Sequence, residues 1–332
     1  MHRLPKHQTI KVFEGFAGYG GASYGLKRSK LKYEVVGFSE FDPDAVELYQ
    51  YNFPQVPNFG DITKIDENDP NFPDFDLFTG GFPCQPFSTV GKRQGQEDER
   101  GRGTLFGDII RICEVKQPKY ILLENVKGLQ TGKMKATFKI ILDELHRIGY
   151  DTRYAVLNSK DYGIPQTRER LWIFAYLGQL PEKFTIEPPH QKLKGYFKDF
   201  LDPHPTEDLY KTQKQIARIH EIHHNDVFDV DEPLCYDIYN RKIRTDHLCM
   251  TITPPEHNVI RVIEPMVNGQ ERFRKLSLDE HFRFMGFKMN GEKREIKFPP
   301  TQNYTRLGRR AGNGWDVNLV GILLNHIFSQ LL

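Results

Sequence analysis

Six short apolar runs alternate with helix-patterned segments through the first 177 residues, and this alternation restricts the chain to a few layered architectures. The runs at 9–13, 34–38, 75–79, 120–123, 152–157 and 171–176 read as buried strands. Between them, a glycine-rich turn at 16–21 leads into a short helix ending near Arg28, and helices fill 105–115 and 134–148. Asp42-Pro43 has the form of an N-cap followed by proline at the first helical position, opening a helix through Ala45, Val46, Leu48 and Tyr49. Strands alternating with helices pack as βα units around a mostly parallel sheet, so the fold class is α/β.

Past Gly178 the pattern breaks, with Pro181, Pro188, Pro189, Pro203 and Pro205 and no sustained period, and a second domain is expected there. An apolar helical pattern returns at 314–332 through Val317, Val320, Leu323, Leu324 and Ile327. No run approaches the roughly 18 apolar residues of a membrane span, and Met1 to His7 lack the apolar core of a secretory signal, so a cytoplasmic protein is expected. Cys84, Cys113, Cys235 and Cys249 show no short paired spacing, which points away from a zinc site or a disulfide framework. His220-Glu221-Ile222-His223-His224 fits a zinc-binding pattern literally, but no third ligand is evident and a polar helix face is preferred. From Arg272 onward the chain is rich in Lys and Arg, which suits a phosphate-facing surface and equally a solvated charged face.

Chemistry concentrates where strands end. Gly80-Gly81-Phe82-Pro83-Cys84-Gln85-Pro86-Phe87-Ser88 follows an apolar run and displays a thiol between two prolines, at the end of the sheet where open α/β folds bind ligands. Taken alone, the cysteine is more often a small buried hydrophobe. Gly18, Gly20 and Gly21 let a ligand approach the backbone at a helix N-terminus. Glu40, ending the second strand, can accept both hydroxyls of a ribose, and Asp61 would close a further strand and accept from an adenine amino group. Glu124 ends another buried strand, where lost solvation lets a carboxyl hold a proton as a general acid requires. Arg168 and Arg170, two apart before a strand, can share one face and meet phosphate or a carbonyl oxygen; a surface cluster with Glu169 is the alternative.

These residues, in this order, resemble the C5-cytosine DNA methyltransferases over nearly the whole chain. The family's cofactor turn looks like Phe16-Ala17-Gly18-Tyr19-Gly20-Gly21, its ribose acid and stacking aromatic like Glu40 and Phe41, and its adenine contact like Asp61-Ile62. Its nucleophile loop matches Pro83-Cys84-Gln85, a further cofactor contact resembles Leu105, its protonating acid matches Glu124, and its arginine motif matches Gln166 to Arg170. A late structural motif is similar to Arg274-Lys275-Leu276 through Gly286-Phe287, and the closing cofactor motif to Gly312-Asn313-Gly314, with Asn313 as the contact.

The resemblance implies a Rossmann-like catalytic and cofactor-binding domain at 1–177 plus 308–332, binding S-adenosyl-L-methionine. It also implies a smaller, irregular target-recognition domain at 178–307, inserted before the C-terminal helix, with the structural motif returning at 272–287. Thr251-Ile252 looks like the pair ending the recognition core, and Ser88, Lys92, Arg100 and Thr251 are its candidate contacts to double-stranded DNA. The stretch 178–272 holds more acids than bases, so most phosphate contacts are assigned to 272–310 and to Lys92, Arg93, Arg100 and Arg102, in a loop at 88–102 that would close over the target. A monomer without a metal, acting on flipped cytosine through a covalent Cys84 adduct, is the implied enzyme, and a cognate restriction endonuclease its implied companion. Related tRNA methyltransferases share the catalytic motifs but carry a Cys-Phe-Thr run, from which Cys249-Met250-Thr251 departs. A silent DNA-binding relative is the other alternative, disfavoured by Cys84, Glu124 and the arginines. Glu14 and Gly314 stand where aspartate and serine are commoner, leaving cofactor bonds there open.

Overall fold

A computed structural model describes residues 9–83, 105–223, 228–257, 260–290 and 293–332. It divides into two compact units: the chain to Leu157 with Glu169–Pro189 and Val320–Leu332, and Asn158–Arg168 with His190–Leu319.

The first unit builds β1 (Ile10–Gly15), α1 (Gly21–Arg28), β2 (Tyr33–Ser39), α2 (Pro43–Asn52), β3 (Leu77–Gly81), α3 (Leu105–Lys116), β4 (Tyr120–Val126), α4 (Lys135–Arg147), β5 (Tyr150–Asn158) and β6 (Glu169–Leu177). Its six strands run in the order β2-β1-β3-β4-β6-β5. The β1–β2, β1–β3 and β3–β4 pairs are parallel, and β6 lies antiparallel to β4. Because β2 and β3 flank β1 on opposite sides, the order reverses at β1/β3, and the crevice at the carboxyl ends of these strands is where such sheets hold ligands. Gly15 and Gly80 are paired there.

Tyr120 through Asn125 are all buried, as a central strand covered on both faces requires. Phe13, Phe72, Phe75 and Phe78 pack with Ile121, Leu123 and Ile173 in the core beneath the sheet, the Phe13 ring stacking on Phe75 at 5.2 Å. Asp42 caps α2 as its sequence implies, its carboxylate accepting from Asp44 N at 3.0 Å and Ala45 N at 3.3 Å, with Pro43 in the first turn. No strand forms at Asp61. Its carboxylate instead accepts from Thr63 N at 3.1 Å and Thr63 Oγ1 at 2.9 Å, capping a short 3-10 turn, Ile62–Lys64. The local side-chain bond competes with strand pairing and wins.

The second unit contains α5 (Gln213–His223), β7 (Leu234–Asp237), β8 (Lys242–Ile243), β9 (Ile260–Val267), β10 (Gln270–Arg274), α6 (Leu278–Phe284), β11 (Met289–Asn290), β12 (Lys293–Arg294) and α7 (Tyr304–Asn313). An antiparallel sheet β10-β9-β7-β8 packs Tyr236, Ile263 and Phe273 against Ile216 of α5 and Phe228. Arg274 is fully buried, with bonds of 2.8 and 2.9 Å to Glu280 and 2.5 Å to Glu264. Glu280 also closes a capping box with Ser277 at the start of α6. The last helix, α8 (Val317–Leu331), carries Phe328 within the first unit, edge-on to Tyr120 at 4.8 Å.

Part of the basic stretch expected to face phosphate is engaged with carboxylates inside this unit. Arg272 pairs with Glu264, Arg283 with Asp202, Arg294 with Asp279 and Arg309 with Glu256. Asp202 and Glu256 come from remote parts of the chain, which composition along it does not display. In the histidine-rich segment, His220 Nε2 lies 3.0 Å from the Glu271 carboxylate. No helix among the described residues is long and apolar enough to cross a membrane.

Candidate active site

The turn after β1 rises from the sheet through backbone angles that few side chains adopt. Phe16, Gly18 and Gly20 have φ of 54°, 57° and 89°. A left-handed phenylalanine costs of order 1–3 kcal/mol and persists where its surroundings over-determine it. At Gly20 a Cβ would also lie 3.0 Å from the rings of Phe53 and Tyr49, so glycine is required twice over. Gly20 ends the turn as the N-cap of α1 and Gly21 begins the helix, with no side-chain cap on Gly20.

Glu40 stands one residue past β2 and ties the neighbouring loops together. Its carboxylate accepts from Gly18 N at 3.0 Å, Phe41 N at 2.9 Å and Asp42 N at 3.0 Å. Three donors fill most of the roughly four acceptor positions of a carboxylate, leaving about one for a ligand hydroxyl. Beside it Phe41 is 72% exposed, an aromatic face open to stacking. Asn58, which sequence reasoning missed, fixes Glu40 from the other side: Glu40 N donates to Asn58 Oδ1 at 3.3 Å and Asn58 Nδ2 to the Glu40 carbonyl at 3.1 Å. Ile62 is buried beneath Asp61, and Leu105 opens α3 half-buried.

Glu14 belongs to the interior. Only 1% exposed, its carboxyl accepts from Ser23 Oγ and from Tyr49 OH at 2.9 Å. Burial raises its pKa to about 7, against the opposing effect of those hydrogen bonds.

Glu124 lies near the end of β4, 9% exposed, with Arg170 Nε 3.0 Å from its Oε1. The register explains the meeting: Glu124 faces Trp172 and Val126 faces Arg170 across the antiparallel pair, so Glu124 and Arg170 are diagonal neighbours on one face. On the other side Gly81 of β3 is level with Glu124. The chain then reaches Phe82 and exposed Pro83, where Asn125 Nδ2 donates to the Phe82 carbonyl at 3.0 Å. Asn125 thus anchors the approach to the thiol loop, a role visible only once β3 and β4 are paired. Cys84, Gln85, Ser88, Lys92, Arg93, Arg100 and Arg102 lie outside the described residues.

The two arginines do not act alike. Arg168 belongs to the second unit, 2% exposed, and its guanidinium donates to the carbonyls of Ile252 at 2.9 Å, Gly312 at 3.2 Å and Gly314 at 2.7 Å. Its two terminal nitrogens thus meet backbone carbonyls, whereas Arg170 Nε meets Glu124. Glu169 pairs with Lys127 at 3.0 Å. Thr251 Oγ1 donates to the Thr167 carbonyl at 2.6 Å, and exposed Asn313 ends α7. Gly312 is held against Thr253-Pro254, where a Cβ would sit 2.2 Å from Pro254 N. Among the described residues no cluster of His, Cys, Asp and Glu is fit to hold a metal ion.

The model of the family described as C-5 cytosine-specific DNA methylase matches residues 10–329. Type II methyltransferase M.BsuFI of Bacillus subtilis is 35% identical over 319 residues, covering 96% of this chain and 72% of its own. Type II methyltransferase M.Bsp6I of a Bacillus strain is 33% identical over 332 residues, covering 97% of this chain and all of its own. Among solved structures, a DNMT2 variant from Spodoptera frugiperda superposes with a TM-score of 0.73 over 96% of this chain at 19% identity, a likeness of fold.

Proposed function

The chain belongs to the C-5 cytosine-specific DNA methylase family, and from that premise we propose that it methylates C5 of cytosine in duplex DNA, with S-adenosylmethionine as donor. The observation that carries the proposal is the Glu124–Arg170 pair, set level with Gly81 three residues before Cys84. A carboxyl fixed by a guanidinium beside the approach to a thiol is what addition to a pyrimidine ring needs.

Residues at the β1/β3 crevice fit an adenosyl ligand. Glu40 would take a ribose hydroxyl, Phe41 would stack on the adenine, and Asp61 would accept from its amino group. Ile62, Leu105 and Pro83 would supply apolar surface, and Phe16, Gly18, Gly20 and Gly21 would line the remainder; the family resemblance proposes Asn313 as a further cofactor contact. When bound, the cofactor supplies an electrophilic methyl group. The protein must make C5 able to receive it.

In the proposed reaction the Cys84 thiolate forms a bond to C6, opening the C5–C6 double bond and moving an electron pair toward N3, where Glu124 supports protonation. Arg170 holds Glu124 in place and steadies the base at its carbonyl oxygen. Density returning to C5 lets that carbon take the methyl group, and N3 gives its proton back to Glu124 as the C4–N3 double bond reforms. Loss of the C5 proton to a base then reforms the double bond and breaks the C6–S bond, restoring the thiolate. The target base must leave the stack, at a cost of a few kcal/mol, and Ser88, Lys92, Arg100 and Thr251 are proposed to meet the DNA. We propose further that it acts as a monomer beside an endonuclease of the same site. Incubation of the purified chain with duplex DNA, tRNA and labelled S-adenosylmethionine tests the reading: 5-methylcytosine in the duplex supports it, and methyl incorporation confined to tRNA refutes it.

A further inference from the structure

Glu40 follows β2 and Asp61 caps the turn Ile62–Lys64, so the two carboxylates proposed for ribose and adenine stand on separate segments of the chain. The segments begin as a parallel pair. Phe38 N donates to the Pro57 carbonyl at 3.0 Å, and Phe59 N donates to the Phe38 carbonyl at 2.7 Å. Gly60 then takes a left-handed φ of 70° and turns its segment away from the strand.

Where the ladder would continue, the Asn58 side chain takes its place. Oδ1 accepts from Glu40 N at 3.3 Å and from Gly60 N at 2.9 Å, and Nδ2 donates to the Glu40 carbonyl at 3.1 Å. Accepting on one atom and donating from the other is what a carboxamide offers; a carboxylate has no proton to give and an apolar chain neither role. Ser39, 2% exposed, adds a second tie, its Oγ donating to the Gly60 carbonyl at 2.7 Å. Glu40 is thus held at both its backbone groups and Gly60 at both of its own, and Asp61 begins one peptide bond further on.

Resting on the proposed function, we infer that Asn58, assisted by Ser39, is a positioning residue for cofactor selection: it fixes the spacing of Glu40 and Asp61 so that a nucleoside must present its ribose hydroxyls and its adenine amino group together. Neither residue needs to touch the ligand. A site built to take a ligand's hydrogen bonds rejects an analogue lacking one of them only if its acceptors stay where they are. Holding both acceptors in advance also removes an ordering cost on binding.

The test titrates the full-length wild type, Asn58→Ala and Ser39→Ala with S-adenosylmethionine and with its 2′-deoxy, 3′-deoxy and 6-deamino analogues. The wild type should bind the deamino analogue and at least one deoxy analogue about tenfold or more weaker than S-adenosylmethionine, the worth of a hydrogen bond to a charged group. In Asn58→Ala the affinity for S-adenosylmethionine should fall about tenfold and both penalties should shrink to about threefold or less. Ser39→Ala loses only the tie to Gly60, so it should shrink the deamino penalty and leave the deoxy penalty as in the wild type. A merely structural role would weaken all four ligands by one factor and preserve the penalties, and that result in Asn58→Ala overturns the inference. If Asn58→Ala gives no cooperative melt, Ser39→Ala is the arbiter: selective loss of the deamino penalty sustains the inference, and two unchanged penalties overturn it. A wild type that binds S-adenosylmethionine and all three analogues alike overturns this inference alone, whereas one that binds none of them brings down the cofactor reading as well.

Discussion

Arg170 reaches across the antiparallel β4/β6 pair to place Nε 3.0 Å from Oε1 of Glu124, while Arg168, two residues earlier, spends its guanidinium on three backbone carbonyls. One guanidinium thus meets a carboxylate and the other backbone, and the proposed reaction gives the first a part in the chemistry.

Glu124→Gln should slow single-turnover methyl transfer by about 10²–10⁴, the usual worth of a positioned acid or base, while cofactor affinity stays near wild type. Arg170→Ala should act in the same direction, because it frees the carboxyl to rotate. Rapid-quench measurement with labelled donor is the check; wild-type rates in Glu124→Gln would remove the acid from the mechanism.

Arg168→Ala should destabilise by at least about 3 kcal/mol, since buried hydrogen bonds to a charged group are each worth roughly 1.5–3 kcal/mol and three carbonyls lose donors. Arg168→Lys should recover little, because an ammonium cannot span the three acceptors. Urea unfolding decides it. A full loss of activity with an unaltered midpoint would return Arg168 to the chemistry.

Glu14 gives a pH dependence. Its folded pKa of about 7 lies above the ordinary carboxyl value of 4.5. Its contribution is thus fully present below about pH 4.5 and lost as the pH rises through 7, where an ionised carboxylate must stay buried. A shift of this size corresponds to about 3 kcal/mol. Relative to Glu14→Gln, the wild type should lose roughly that much stability between pH 5 and pH 8. Parallel stability curves for the two proteins would show that Glu14 does not titrate in the fold.

Phe41→Ala should weaken S-adenosylmethionine binding about tenfold, as loss of an aromatic stacking face predicts, without changing the melting midpoint of the unliganded protein, because the ring is 72% exposed. Calorimetric titration measures the affinity and a thermal melt of the unliganded protein measures the midpoint.

Local features were legible in the chain. Asp42-Pro43 announces its helix because a cap is written in adjacent residues, and 120–123 read as a buried strand because the run is wholly apolar, with the strand extending to Val126. Asp61 misled for the same reason in reverse: an Asx-type bond to Thr63 is as local as a cap, and it ended the strand pattern. What stayed hidden depends on long-range partners. Arg168 meets Ile252, 84 positions away, and Gly314, 146 away. Asn125 and Asn58 work through backbone groups brought alongside by the sheet and its loops. The basic run after Arg272 looked open because its carboxylates come from positions such as Asp202, Glu256 and Glu264.

The most direct measurement is sequencing for 5-methylcytosine in duplex DNA treated with the wild-type chain and with Cys84→Ala in the presence of S-adenosylmethionine. The wild type should place 5-methylcytosine in one sequence context and Cys84→Ala should place none while still binding the cofactor. Methylation by Cys84→Ala at the wild-type rate would contradict the covalent mechanism.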